Sequence, residues 1–340
     1  MDRHLLRTTT ARLGATIVGA TALVEWLLAI ARPEGGPLGV LQILAPHLAI
    51  LGLVLAPVAL LGRSRSAVVA AVALAAVIAI RFSGDWMSLP AAAPPAGTDR
   101  IAVATWNLEV ESRPGVDTAT FLRTVTADVI GLQELQPAAA AAIEADPVLR
   151  AAFPYRYLQP RTDVLGLGIL SRVPILEPSV RLGPAIQEAT LDLGGGRRIG
   201  VVNAHPFHAD IASLGSTRIP VGLDVDQRNA DLDTIRARID ARAAGGDPVL
   251  LIGDLNTAAS EPAFDRFVRG LRDVHAEVGE GTGWTWRPIR LEFLGLGLVR
   301  IDHIVVTPGI VPLTTGGTCP PIGDHCLVLA ELAIPAGAFG

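Results

Sequence analysis

A carboxylate and a carboxamide two positions apart, Asp254 and Asn256, follow the apolar run Val249-Leu250-Leu251-Ile252 and the small residue Gly253. In an extended chain alternate side chains share a face, so the two lie on one side. One can take a proton and the other can donate a hydrogen bond, which is equipment for orienting a water against a phosphoryl group. Asp-Leu-Asn after a strand also makes an ordinary turn, so the pair gains meaning only from its company.

That company is a series of apolar runs that each meet a polar residue. Ala102 to Trp106 leads to Asn107, Val129 to Gln133 to Glu134, and Val201 to Ala204 to His205. Near the C-terminus, Arg300-Ile301-Asp302-His303 opens one run and Gly323-Asp324-His325-Cys326 another. Each residue alone has a plain reading: a turn, a surface acid, a hydrogen-bonded histidine before Pro206. Core strands tolerate polar groups only when these are paired, so several strands ending this way imply that the groups satisfy one another at one rim.

In order, spacing and flanking residues, Asn107, Glu134, His205, the Asp254/Asn256 pair, Asp302 and the Asp324/His325 pair resemble the endonuclease/exonuclease/phosphatase superfamily. The stretch Gly166-Leu167-Gly168-Ile169-Leu170-Ser171-Arg172-Val173-Pro174, between Glu134 and His205, fits as well, and the likeness covers residues 100 to 333. The resemblance implies an α/β fold, a four-layer sandwich of two packed mixed β-sheets flanked by helices, with the site at one rim. It also implies metal-assisted attack of water on phosphorus. Glu134 would bind the metal with Asn107 close by and Asp324 on the metal's side, and hard oxygen ligands suit Mg²⁺ or Mn²⁺. Asp254 would orient or deprotonate the water, Asn256 and His205 would hold phosphoryl oxygens, and Asp302 would orient His325. The likeness has one departure. Ahead of Gly166, where DNA-repair nucleases of the family tend to place Tyr and Asn, this chain reads Arg161-Thr162-Asp163.

The residues themselves give a consistent but coarser picture. Short apolar strands alternate with helical stretches such as Thr118 to Thr126, Pro137 to Ala145 and Asp226 to Ala243, as an α/β domain requires. Ahead of this domain the chain is too apolar for an average soluble protein: half of its 340 residues are hydrophobic and the mean hydropathy is +0.44. Leu13 to Ile30, Leu38 to Leu61 and Ser66 to Ile80 are apolar runs. A spanning helix needs about 20 apolar residues, so the third run is short unless its flanking Arg65 and Arg81 snorkel. A cleavable signal peptide would be followed by a soluble domain rather than two more apolar runs. About three transmembrane helices are therefore expected within residues 1–87, near 13–30, 38–61 and 66–82, then a Pro/Ala-rich tether at 88–99 and a catalytic domain at 100–340. Arg3, Arg7 and Arg12 precede the first run, and Arg63 and Arg65 lie between the second and third. By the positive-inside rule, three crossings then leave the catalytic domain on the extracytoplasmic side; a third run lying on the surface would leave it inside. Glu25 and His47, ionisable residues within the spans, are expected to form a structural pair.

Charge bears on the substrate. Residues 1 to 96 carry seven Arg and four acids, so of 28 basic and 33 acidic residues the rest keeps 21 and 29, a net charge of −8. Long nucleic acids are bound through basic surfaces, so this balance weighs against them. Nucleic acid, lipid head groups and small phosphoesters are the substrate classes open to a nuclease-like phosphodiesterase, a phospholipid or sphingolipid phosphodiesterase, or a small-molecule phosphatase. A catalytically silent membrane-tethered binding module is the alternative of another class. It would be expected to have lost some of the motif residues, all of which are present. The lipid bilayer is the one macromolecular partner expected. Cys319 and Cys326 flank the segment that carries His325, and on this topology they would meet an oxidising compartment and could bond; two reduced thiols are the alternative. His208 and Asp210 could widen the site or stay solvated, and Trp284 and Trp286 could stack on substrate, dip toward lipid or pack in the core.

Overall fold

The N-terminal apolar runs fold as α1 (Arg3–Ala31), α2 (Gly36–Leu60) and α3 (Arg65–Trp86). All three are long and apolar enough to cross a membrane and make this a multi-pass membrane chain. The third run, short when counted by apolar residues alone, becomes a helix of 22 residues because it continues through Arg81 to Trp86. At 1.5 Å per residue that is about 33 Å, against a hydrocarbon core of about 30 Å. Arg81 is accommodated by an ion pair with the buried Glu25, so the acid expected beside His47 is neutralised from α3.

The computed structural model describes residues 3–87, 97–110, 115–217, 219–287 and 297–335. Most of the Pro/Ala-rich tether, residues 88–96, lies outside the described residues. Two compact units emerge. One holds Met1–Gly84 together with Asp210–Val225 and Ser260–Ala263; the other holds Asp85–Ala209, Asp226–Ala259 and Phe264–Gly340. The tethered domain is thus not one contiguous unit, as two of its loops belong with the apolar helices.

From residue 99 the order is β1 (Asp99–Asn107), α4 (Gly115–Leu122), β2 (Val129–Gln133), α5 (Pro137–Ala145), α6 (Pro147–Ala152), β3 (Tyr155–Gln159), β4 (Leu167–Ser171), β5 (Ile175–Arg181), β6 (Ala185–Gly194) and β7 (Arg197–His205). There follow β8 (Asp210–Ser213), β9 (Pro220–Asp224), α7 (Asp226–Ala244), β10 (Val249–Asp254), α8 (Pro262–Phe267), β11 (Arg272–Asp273), α9 (Val274–Val278), β12 (Asp302–Val306), β13 (Val311–Thr318) and β14 (Leu327–Ile334). The helix expected over Thr118 to Thr126 stops at Leu122. There the Thr124 hydroxyl donates to Phe121 O (2.7 Å) and the β-branched run Thr124-Val125-Thr126 disfavours another turn.

Two six-stranded mixed sheets form, in the orders β13-β14-β1-β2-β4-β3 and β11-β12-β10-β7-β6-β5. Each is built around one parallel pair, β1 with β2 and β7 with β10, flanked by antiparallel neighbours. The period-2 pattern of β1 explains the layering. Ile101 and Val103 join Val129, Val201, Leu250 and Ile252 in the core between the sheets, while Ala104 and Trp106 turn outward to Leu122 and Ile143 of α4 and α5. Across the second sheet, Arg238 and Arg242 of α7 pair with Glu188, so this unit is a sandwich with helices on both outer faces.

This topology brings the polar strand ends together. The parallel strands β1, β2, β7 and β10 all end at the same rim, and the antiparallel β12 starts there, with Asp302 directly opposite Asp254. β14, antiparallel to β1, starts two residues after His325.

Candidate active site

Close backbone approach fixes the strand ends. A Cβ at Gly253 would fall 2.0 Å from Ala204 O, so only glycine lets β10 lie against β7 one residue before Asp254. Past Glu134, Leu135 N–H donates to Gly166 O (3.0 Å), and a Cβ at Gly166 would fall 2.1 Å from Leu135 O. Glu134 and Asn256 both sit in the left-handed backbone region, at φ 53° and 48°. Asparagine tolerates this; for glutamate it costs about 1 kcal/mol or more and persists only where the surroundings enforce it.

The side chains converge on Asp254, which is fully buried. Its Oδ1 accepts from Asn256 N–H (2.8 Å) and its Oδ2 from Asn107 Nδ2 (2.9 Å). The same Asn107 nitrogen reaches Glu134 Oε1 (3.1 Å), while Asn107 Oδ1 accepts from Glu109 N–H (2.9 Å). Asn107 therefore works here as the donor that joins the two carboxylates; to ligate an ion it would have to turn its amide over. Glu134 Oε2 accepts from Val110 N–H (2.7 Å).

Two histidines flank this centre. His205 Nδ1 donates to Val164 O (2.9 Å), and its Nε2, near Asn256 Nδ2 (3.2 Å), lies 3.6 Å from Glu134 Oε1 and 3.7 Å from Asp254 Oδ2. His325 Nδ1 donates to Asp302 Oδ2 (2.9 Å), which turns its Nε2 toward Asp254 Oδ2 (3.7 Å) and Asp324 Oδ1 (3.6 Å). Separations of 3.6 to 3.7 Å exceed a direct hydrogen bond and suit an intervening water, phosphoryl oxygen or cation.

Burial, followed by the charge of Asp302, raises the Asp254 pKa to about 6, although His325 and His205 pull the other way. For His325 burial opposes the charge, yet Asp302 and Asp254, with the hydrogen bond to Asp302 and the charge of Asp324, outweigh it and raise the pKa to about 10. Asp324 is raised, chiefly by burial and further by Glu134 and Asp302, against the opposing effects of His325 and the Trp286 hydrogen bond.

A divalent cation fits this donor set. Asp254, Asp302 and His325 each offer a ligand atom within 4.8 Å of the others and could hold one. Asp302 Oδ1 and Asp324 Oδ1 are buried oxygens with no hydrogen-bond partner, which a cation would satisfy. A protonated imidazole cannot ligate, so the raised pKa of His325 favours the carboxylate oxygens for a hard ion.

A family model for the endonuclease/exonuclease/phosphatase family matches residues 104–325, the span that contains every one of these groups. The chain belongs to the endonuclease/exonuclease/phosphatase family. Solved structures with the same fold include endonuclease/exonuclease/phosphatase proteins of Bacteroides thetaiotaomicron (16% identity, TM-score 0.54, covering 70% of this chain and 99% of that one) and Bacteroides vulgatus (16%, 0.53, 70% and 100%). D. rerio TDP2 complexed with a single-strand DNA product is another (17%, 0.51, 69% and 99%). No curated protein matches the chain in sequence. As a family member carrying this cation-ready cluster behind three apolar helices, the chain is a membrane-associated, metal-dependent phosphoesterase.

Several supporting residues escape a reading of the sequence. Between the sheets, below the rim, Gln133 Nε2 donates to Asn203 Oδ1 (2.7 Å) and Thr105 Oγ1 (3.0 Å), and Asn203 Nδ2 to Gln187 Oε1 (3.2 Å) and Leu132 O (3.1 Å). This buried ladder ties β1, β2, β6 and β7 together under Asn107, Glu134 and His205. Trp286 Nε1 donates to Asp324 Oδ2 (2.9 Å), which makes this tryptophan a holder of the acid. Cys319 and Cys326 form a disulfide, and Cys326 N–H donates to Thr285 O (2.8 Å), fixing the segment of His325. His208 and Asp210 are exposed and join no metal-ligand cluster among the described residues. Arg161 and Asp163 pair with each other (2.6 Å) at a half-exposed position.

Proposed function

We propose that the rim hydrolyses a phosphodiester with Mg²⁺ or Mn²⁺ bound at the carboxylate oxygens of Glu134 and Asp324, with Asn107 beside them. The observation that carries this reading is the convergence on Asp254 Oδ2 of Asn107 Nδ2 (2.9 Å), His205 Nε2 (3.7 Å) and His325 Nε2 (3.7 Å), with Glu134 Oε1 and Asp324 Oδ1 each 3.6 Å from one of these imidazole nitrogens. When bound, the ion would draw charge from a phosphoryl oxygen. Asp254 orients the attacking water and takes its proton, a role suited to a carboxylate whose pKa burial has brought toward neutrality. Asn256 Nδ2 and His205 Nε2 hold phosphoryl oxygens. His325, aligned by Asp302, places an N–H opposite Asp254 and stabilises charge on the phosphoryl group or the leaving oxygen.

D. rerio TDP2, a protein of the same fold, has been seen with a single-strand DNA product, so DNA is a substrate to test. The net charge of −8 beyond residue 96 weighs against extended nucleic acid. The catalytic residues act on the extracytoplasmic side, as Arg3, Arg7 and Arg12 in the N-terminal part of α1 and Arg63 and Arg65 where α2 gives way to α3 support. Two experiments test these statements. In an assay of DNA, RNA, labelled phospholipid and a chromogenic phosphodiester with Mg²⁺, at least one diester is hydrolysed; inertness toward all four would overturn the reading. Alkaline phosphatase fused after residue 97 is active and a fluorescent protein is dark; the reverse pattern would place the domain inside.

A further inference from the structure

The hairpin of β8 and β9 exposes large apolar side chains as the spanning helices do. Ile211 is 58% exposed, Leu214 57%, Ile219 54% and Val221 39%, in the range of Leu23 at 60% and Leu38 at 53% on α1 and α2. In the other compact unit, exposed large apolar residues such as Val148, Tyr155 and Val180 are scattered along the sequence. Isolated exposed apolar residues are ordinary, but four within eleven residues on one hairpin form a patch.

The hairpin's place in the fold says what covers that patch. It belongs to the unit of the apolar helices. A Cβ at Gly39 would lie 3.4 Å from a Leu223 methyl carbon, and one at Gly35 would lie 3.7 Å from Val225 Cγ2, so β9 lies against the first turn of α2. That turn opens the apolar stretch Gly36–Leu60, which is long enough to cross a bilayer. Strand alternation puts Val225 on the same face as Leu223, and Ile211 pairs directly across from Leu223. The face that touches the end of the span therefore continues into the exposed residues, while the base of the hairpin carries the exposed Asp210 opposite Asp224. Apolar residues on the helix side and tip, with acids at the base, match the gradient of an interface.

Chain connectivity links this hairpin to the chemistry. Asp210 is five positions beyond His205, and Ser260 is four beyond Asn256. A chain of that length reaches at most about 14 to 18 Å. Ser260 O accepts from Gln42 Nε2 of α2 (2.5 Å), so a second loop that leaves the rim also ends on this helix. We propose that the β8–β9 hairpin is a second membrane element. It sets Ile211, Leu214, Ile219 and Val221 into the boundary between head groups and acyl chains of the bilayer that α1–α3 cross. The phosphoester received at the rim is the head group of a phospholipid in that bilayer. The substrate half of this proposal rests on the phosphoesterase reading above; the hairpin half does not.

The full-length protein is reconstituted into vesicles of phosphatidylcholine and phosphatidylglycerol. Leu214→Trp and Ile219→Trp each add fluorescence, over the wild-type background, that acyl-brominated phosphatidylcholine quenches; unquenched added fluorescence would overturn the membrane contact. A Leu214→Ser/Ile219→Ser variant releases phospholipid head groups roughly tenfold more slowly than wild type, with unchanged turnover of soluble bis(p-nitrophenyl) phosphate. Equal loss on both substrates would show that the hairpin acts through the rim and not the bilayer, which contradicts the proposal. Wild-type hydrolysis of DNA or RNA without hydrolysis of phospholipid would overturn the substrate assignment. Inertness toward every phosphoester would overturn the phosphoesterase reading, and the quenching result would still decide the hairpin.

Discussion

The rim and the hairpin that follows His205 invert the usual partition of side chains in opposite ways. At the rim, Asp254, Asp302, His205 and His325 are each no more than 5% exposed. In the hairpin, Ile211, Leu214 and Ile219 are more than half exposed. Buried charge is costly unless paired, and exposed apolar surface is costly unless covered. The rim offsets most of its cost internally, through Asn107, Asn256 and the Asp302–His325 bond, and leaves two carboxylate oxygens unsatisfied. The hairpin offsets little of its cost within the chain. The contrast teaches that unsatisfied groups of different chemistry call for different partners, a cation and phosphate in one region and a lipid surface in the other.

If the rim is a reaction centre, removing Glu134 or Asp254 has the largest effect. Glu134→Ala and Asp254→Ala are each expected to lower turnover by about a thousandfold or more at saturating Mg²⁺, with an unchanged far-UV circular dichroism spectrum. Near wild-type turnover in either variant would remove the contrast. Asp302→Asn leaves an amide where His325 needs an acceptor and a charge, and turnover should fall roughly a hundredfold with little change in KM. A rise in KM alone would mean that Asp302 serves binding instead.

Smaller effects sharpen the comparison. Reducing the Cys319–Cys326 bond, or Cys326→Ser, is expected to cost about 2 kcal/mol of stability, low in the usual range because the loop is short. Chemical denaturation measures this, and turnover should fall with it, since the loop holds His325. A further effect is a pH dependence of the metal-free protein. The folded pKa of His325 is about 10, above the ordinary 6.5, so between these values the folded state holds a proton that the unfolded state has lost. Its contribution is complete below about 6.5 and is lost as pH rises through 10. The thermal midpoint of chelated wild type should fall over that window more steeply than that of His325→Gln; parallel curves would refute the charge pairing.

The strand ends were legible because an apolar run that stops at a single polar residue is a local pattern. Asn107, Glu134, His205, Asp254 and Asp302 could therefore be picked out one by one, and their convergence followed from parallel strands that end at one rim. The Gln133–Asn203 ladder was not legible, because an amide inside a strand looks like a solvent-facing position until a second sheet is laid over it. Nor was the β8–β9 hairpin: its pattern is interrupted by Gly215, Pro220 and a bulge between Ala212 and Ser213, so the segment passes for loop. The Glu25–Arg81 pair joins residues 56 apart on different helices, a separation that spacing along one helix cannot reveal.

The most direct test of the central claim is the hydrolysis of bis(p-nitrophenyl) phosphate by the full-length protein in detergent, before chelation, after chelation, and after addition of Mg²⁺ or Mn²⁺, with Asp254→Asn alongside. Turnover that vanishes on chelation, returns with the ion, and is absent throughout in Asp254→Asn is the predicted result. Turnover that survives chelation, or that Asp254→Asn retains, would contradict a metal-dependent reaction centred on this rim.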